Sequence, residues 1–123
     1  MIKEVLLVGL GGGVGSMLRY LSTVCATRMF HVAFPIGTFF VNIAGCFILG
    51  LFVGLIEHQQ VLHINHRFLF ITGFCGGFTT FSAFSAESLR MFETGNILQG
   101  VLYITGSIIM GLLAVWLGVL LLK

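Results

Sequence analysis

Charge is what this sequence has least of. Six Lys or Arg and four Asp or Glu amount to 8% of 123 residues, where a water-soluble domain carries about a quarter. With 58% hydrophobic residues and a mean hydropathy of +1.11, an ordinary aqueous fold is excluded and the solvent is lipid. Proline occurs once and no long polar stretch exists, which excludes disordered, collagen-like and linker-rich chains. A formal charge of +2 is too small to point to nucleic acid. The three cysteines, Cys25, Cys46 and Cys75, are odd in number and lack C-x-x-C spacing, so they read as free thiols in apolar surroundings. The length leaves room for one domain, residues 1–123.

What is present is a set of long charge-free runs. No Asp, Glu, Lys or Arg occurs from Met29 to Ile56, Phe68 to Ala86, or Thr94 to Leu122, and Val5 to Thr27 is broken only by Arg19. A helix needs about 20 apolar residues to cross a hydrocarbon layer of about 30 Å, which predicts four spans near 4–28, 35–56, 67–89 and 97–122. Pro35 suits the start of the second helix, Glu57 to Arg67 reads as a polar loop, and Glu93-Thr94-Gly95-Asn96 reads as a turn. A cleaved leader is not expected, because Glu4 cancels Lys3 and Leu21 to Cys25 lacks a convincing small-residue cleavage site.

Four spans put both termini and the second loop on one side, with Lys3, Arg67 and Lys123, against Arg28 and Arg90 on the other. Three against two hardly instructs the positive-inside rule. Copies inserted in both orientations, pairing antiparallel, are one reading; orientation fixed by a single charge is the other. GxxxG spacings at Gly9/Gly13, Gly11/Gly15, Gly50/Gly54 and Gly73/Gly77 suit close helix approach, either between copies or within one bundle. The glycine run Gly9 to Gly15 has no nucleotide-binding register, preceding strand or P-loop lysine, so packing is its expected role. His58, His63 and His66 lack Cys or carboxylate partners at ligand spacing and read as a solvated loop.

Polar residues inside the spans carry the functional signal. Asn42 lies near the middle of the second span, with Thr38 one turn before it and Gly45 and Cys46 one turn after. An amide at that depth needs a partner, whether another helix or a ligand. Tyr103 and Ser107 form a second stripe, followed in register by Gly111. The third span contains Gly73-Phe74-Cys75-Gly76-Gly77-Phe78-Thr79-Thr80-Phe81-Ser82-Ala83-Phe84, in which paired glycines and threonines predict an interrupted helix with Thr79 or Thr80 capping a second half. Carbonyls freed there favour a cation such as sodium. Phe81 and Phe84, three apart, are core filler or aromatic edges lining an anion path.

These motifs, with Gly12 to Tyr20 and with Gly37-Thr38 followed by Asn42-Ile43-Ala44-Gly45, resemble the small bacterial dual-topology fluoride channels of the CrcB family over the whole chain. The resemblance implies an all-α membrane protein of the cell inner membrane, with four transmembrane helices and the third broken mid-membrane. It implies an antiparallel homodimer with two fluoride pathways and passive fluoride export. It further implies a structural sodium ion held by main-chain oxygens at Gly76 and Thr79, pore aromatics at Phe81 and Phe84, and a pore amide at Asn42. Arg19 matches a vestibule arginine, and Tyr103 and Ser107 match the polar track of the last helix. Two positions depart from the family pattern: Ala83 stands where many relatives have Thr, and Gly111 where a further hydroxyl often extends the track.

Physical chemistry agrees with that expectation. Fluoride holds water tightly, and burying it bare costs on the order of tens of kcal/mol. A workable path therefore needs a succession of modest donors: Asn42, Thr38, Tyr103, Ser107 and the Phe81 and Phe84 edges, with Arg19 and a central cation helping at long range. The competing reading, a four-span proton-coupled transporter, needs a carboxylate deep in the membrane. Glu4 and Glu57 lie at ends, and Glu87 is expected near the end of its span. An accessory protein without transport would leave the interrupted helix without a task. No nucleophile–base pair supports an enzyme.

Overall fold

The computed structural model describes residues 1–59 and 63–123. Among these, every regular element is helical. In chain order they are α1 (Ile2–Met29), α2 (Ile36–Gln59), α3 (Ile64–His66), a π-helical stretch π1 (Arg67–Cys75), α4 (Gly76–Phe78), α5 (Phe81–Glu93) and α6 (Ile97–Leu122). Four rods are long and apolar enough to cross a bilayer: Ile2–Met29, Ile36–His58, Ile64–Glu93 and Ile97–Leu122. At about 1.5 Å per residue, even 23 residues exceed the roughly 30 Å of hydrocarbon.

The rods match the expected spans in number and overrun most of their ends. The third begins three residues earlier than expected and ends four later, at Glu93, taking Arg90 and Glu93 into the rod. Hydropathy locates the hydrocarbon edge, whereas backbone hydrogen bonding carries a helix on into the interfacial layer. The expected 57–67 loop is shorter for the same reason: α2 runs to Gln59 and helix resumes at Ile64, while residues 60–62 lie outside the described residues. Gly95 makes the last turn at φ +85°, a left-handed conformation costly for residues with a Cβ.

α2 packs mainly on α6, and α1 on π1 and α4. Glycine makes both contacts close. A Cβ on Gly15 would overlap the Phe74 carbonyl oxygen, and one on Gly50 would overlap the Val115 carbonyl oxygen. Six of the eight GxxxG glycines, at positions 11, 15, 50, 54, 73 and 77, are occupied by such contacts within the chain. Gly9 and Gly13 face open space.

Little side-chain volume is buried within the bundle; Tyr103 and Val41 are its largest fully buried groups. The outer faces of α1 and α6 carry exposed Leu, Ile, Val, Met and Trp, an apolar exterior far beyond what a monomer keeps in water.

Candidate functional site

The site grows from one backbone irregularity. After Phe78 the chain leaves the helix: Thr79 (φ −86°, ψ 158°) and Thr80 (φ −146°, ψ 121°) are extended before α5 begins at Phe81. Thr80 is the N-cap of α5, its hydroxyl accepting from the Ala83 N–H at 3.2 Å. The hydroxyl of Thr79 instead donates back to the Cys75 carbonyl at 2.8 Å. Of the two candidate caps, then, the second performs the task.

Asn42 braces the extended segment from α2. Its Oδ1 accepts from the Thr80 N–H at 2.7 Å, and its Nδ2 donates to the Thr80 carbonyl at 3.1 Å. The amide thus satisfies both main-chain groups of a residue that has left its helix. Asn has two amide hydrogens, so one donor remains beyond this clamp. Gly45, one turn on, permits the approach, since a Cβ there would overlap Thr79 Cγ2.

Arg19 braces the segment from α1, donating from Nε to the Gly77 carbonyl at 3.0 Å. The guanidinium therefore sits at the C-terminal end of α4, where exposed carbonyls make the potential negative. Its remaining N–H groups form no hydrogen bond to the described residues. Because the Thr80 N–H goes to Asn42 and the Ala83 N–H to Thr80 Oγ1, the carbonyls of Gly76, Phe78 and Thr79 receive no backbone donor among the described residues. Main-chain oxygens without donors suit a hard monovalent cation, and two of these three belong to the residues named from sequence for sodium. A Cβ on Gly76 would meet nothing within 4 Å, so the chain leaves that flank open.

A cavity of about 490 Å³ opens beside the interruption. Asn42, Phe81, Phe84 and Ser107, four of the six residues named from sequence for an anion path, line it together with Gly76, Thr79 and Thr80. The Phe81 and Phe84 rings stand 5.8 Å apart at 44°, and Phe81 is 79% exposed in the single chain, which excludes core filling as its role there. Ser107 Oγ is buried without a hydrogen-bond partner among the described residues. A buried unpaired hydroxyl costs about 1–3 kcal/mol, and this one keeps its donor available to a group in the cavity.

The remaining named residues, Thr38 and Tyr103, meet at a carboxylate. Thr38 Oγ1 donates to Glu87 Oε1 at 2.7 Å, and the Tyr103 hydroxyl donates to Glu87 Oε2 at 3.0 Å. The Tyr103 ring is fully buried, with Phe84 on one side at 5.2 Å and Phe34 on the other at 5.3 Å. Thr38 and Glu87 also line a second cavity of about 190 Å³, under the loop that ends at Pro35. Glu87 was expected near the end of its span; the rod runs six residues beyond it, to Glu93, and the carboxylate lines the second cavity. Sequence reasoning missed this role because the two hydroxyls come from other helices. The available signal was a carboxylate within an otherwise apolar span.

His58, His63 and His66 are exposed, and no group of three or more His, Cys, Asp or Glu among the described residues is arranged to hold a metal.

The order of glycine, aromatic and hydroxyl residues around the interruption extends across the chain as a family pattern. The family described as CrcB-like protein, Camphor Resistance (CrcB), matches residues 6–119. The chain belongs to that family. Among its relatives, the fluoride-specific ion channel FluC of Flavobacterium psychrophilum is 44% identical over 99% of this chain and 98% of its own. Proteins of the same name from Azobacteroides pseudotrichonymphae and Phocaeicola vulgatus are 48% and 47% identical, covering 98% and 96% of this chain and 97% of each relative. A CrcB-family chain with four helices of spanning length is a multi-pass membrane protein.

Proposed function

We propose that this protein is a fluoride-selective channel through which fluoride leaves a bacterial cell passively across the inner membrane. The observation that carries the reading is the cavity beside Thr79–Thr80. It offers the unpartnered Ser107 hydroxyl, the second amide hydrogen of Asn42 and the Phe81 and Phe84 edges, with no carboxylate in its wall. Relatives named as fluoride-specific channels over the whole length support it. No enzymatic step is assigned.

Each donor is modest, as conduction requires: a strong fixed charge in the wall would trap a dehydrated anion. Arg19 lies beyond the clamp and acts at longer range. Tyr103 and Thr38, named for the same track, donate their hydroxyls to Glu87, so the donors that the cavity offers an anion are those of Asn42 and Ser107 with the two ring edges.

The functional unit is an antiparallel, dual-topology homodimer with two pathways. The near balance of loop charges permits both insertions, and the exposure of Phe81 leaves its ring for a second copy to enclose. A structural sodium ion at the dimer axis takes the carbonyls of Gly76 and Thr79 as ligands, holding the interrupted helices together at membrane depth without being transported. Fluoride efflux from liposomes containing the purified protein, with chloride as comparison, tests the function. Fluoride release without chloride release is expected; equal release of both, or of neither, refutes selective conduction.

A further inference from the structure

Two thiols share the cavity wall with the anion donors. Cys46 lies one turn after Asn42 on α2, and Cys75 one turn before Thr79 at the end of π1. Both cysteines line the 490 Å³ cavity, on either side of the Asn42–Thr80 clamp in sequence. Gly111 of α6 faces the first thiol, a Cβ there lying in ordinary contact at 3.6 Å from Cys46 Sγ. Cys25, the third thiol, is remote from this wall: it is exposed on α1 and bonded to Met29 Sδ at 3.6 Å.

We propose that Cys46 and Cys75 together form a two-thiol site for a soft divalent d10 cation of the mercury(II) class, and that its occupation closes the cavity to anions. Thiolate sulfur selects soft metals, whereas the carbonyls around Gly76 are hard ligands, so the two sets do not compete for one ion. Charge fixes the valence. Two thiolates and a divalent cation make a neutral complex, while a monovalent cation would leave a net negative charge against an apolar wall. Coordination number fixes the class, because zinc requires four ligands and no third Cys, His, Asp or Glu among the described residues joins the pair. The step is M²⁺ + 2 Cys–SH → (Cys–S)₂M + 2 H⁺: two S–H bonds break, two S–M bonds form, and nothing is oxidised or reduced. The site goes beyond the channel reading, and only the closing of the cavity rests on it.

The test uses the purified full-length Cys25→Ser protein with mercuric chloride, read by intact mass. One mercury gained per chain with the loss of two hydrogens is the expected result. Two mercuries per chain, each displacing one hydrogen, would show that the thiols act singly and would overturn the site, as would no uptake. Adding Cys46→Ser or Cys75→Ser should reduce the loss to one hydrogen. In liposomes, one equivalent of mercury should lower fluoride efflux of the Cys25→Ser protein at least tenfold. It should leave the Cys25→Ser/Cys46→Ser/Cys75→Ser protein unchanged. Undiminished efflux from mercury-loaded Cys25→Ser protein overturns the blocking role. Absence of efflux before mercury is added would instead count against the fluoride reading, and the mass measurement still decides the site.

Discussion

Replacing Asn42 separates bracing from conduction, because Ala and Asp both break the brace whereas only Asp sets a negative charge beside the anion path. Asn42→Ala removes both bonds to Thr80, at 2.7 and 3.1 Å, and leaves a main-chain N–H and C=O without partners. At about 1–3 kcal/mol for each group, the loss is roughly 2–6 kcal/mol. Asn42→Asp keeps an acceptor for the Thr80 N–H but turns a carboxylate oxygen toward the Thr80 carbonyl and buries a charge, so it costs at least as much. For the anion the two variants differ. A carboxylate about 4 Å from fluoride, at an effective dielectric constant of about 20, repels it by about 4 kcal/mol, close to a thousandfold in occupancy. Thermal retention of the dimer peak in detergent and fluoride efflux from liposomes read the two effects. Both variants should lose dimer on heating relative to the unmodified protein, and the Asp variant should conduct less than the Ala variant. An Asp variant that conducts as fast as the Ala variant would show that Asn42 only braces the backbone and that no anion passes beside it.

Phe81→Ile and Phe84→Ile conserve apolar volume and should elute normally, yet each should suppress fluoride efflux at least tenfold because the positive ring edge is gone; wild-type efflux in both would remove the aromatics from the pathway. Gly76→Ala places a methyl where the chain itself offers no contact within 4 Å, so the subunit should fold; a drop in sodium-dependent dimer would place the ion or partner on that flank, and an unchanged dimer and efflux would contradict it there. Thr80→Ala removes the N-cap of α5 and should cost about 0.5–2 kcal/mol, read as a lower thermal midpoint; an unchanged midpoint would show that the cap carries no stability. A tag at Lys123 should be reached from both faces of the cell membrane, and labelling from one face alone would refute dual insertion.

The four rods were legible because lipid leaves few alternatives: a stretch of about 20 residues without charge must satisfy its backbone internally. Gly76-Gly77 and Thr79-Thr80 marked the irregular segment, since low helix propensity and a capping residue stand side by side there. The partners of the polar groups were less legible. Asn42 was readable as an amide in need of a partner, but a bond to the Thr80 main chain depends on how α2 and α5 meet, which helical periodicity does not encode. Glu87 shows the same limit more strongly: its ligands Thr38 and Tyr103 lie 49 and 16 residues away. The glycine pairs did encode close approach, yet only the packed structure separates Gly11 and Gly15, which meet π1 and α4, from Gly9 and Gly13, which meet nothing in the chain.

The central claim is selective, electrically passive fluoride conduction, and the zero-current voltage of purified protein in a planar bilayer tests it most directly. With a tenfold fluoride gradient and equal chloride on both sides, a fluoride channel should reverse at about 59 mV with the sign of an anion, the voltage equivalent of a tenfold concentration ratio. Reversal near zero under the fluoride gradient, or a shift that follows a chloride gradient instead, would contradict it.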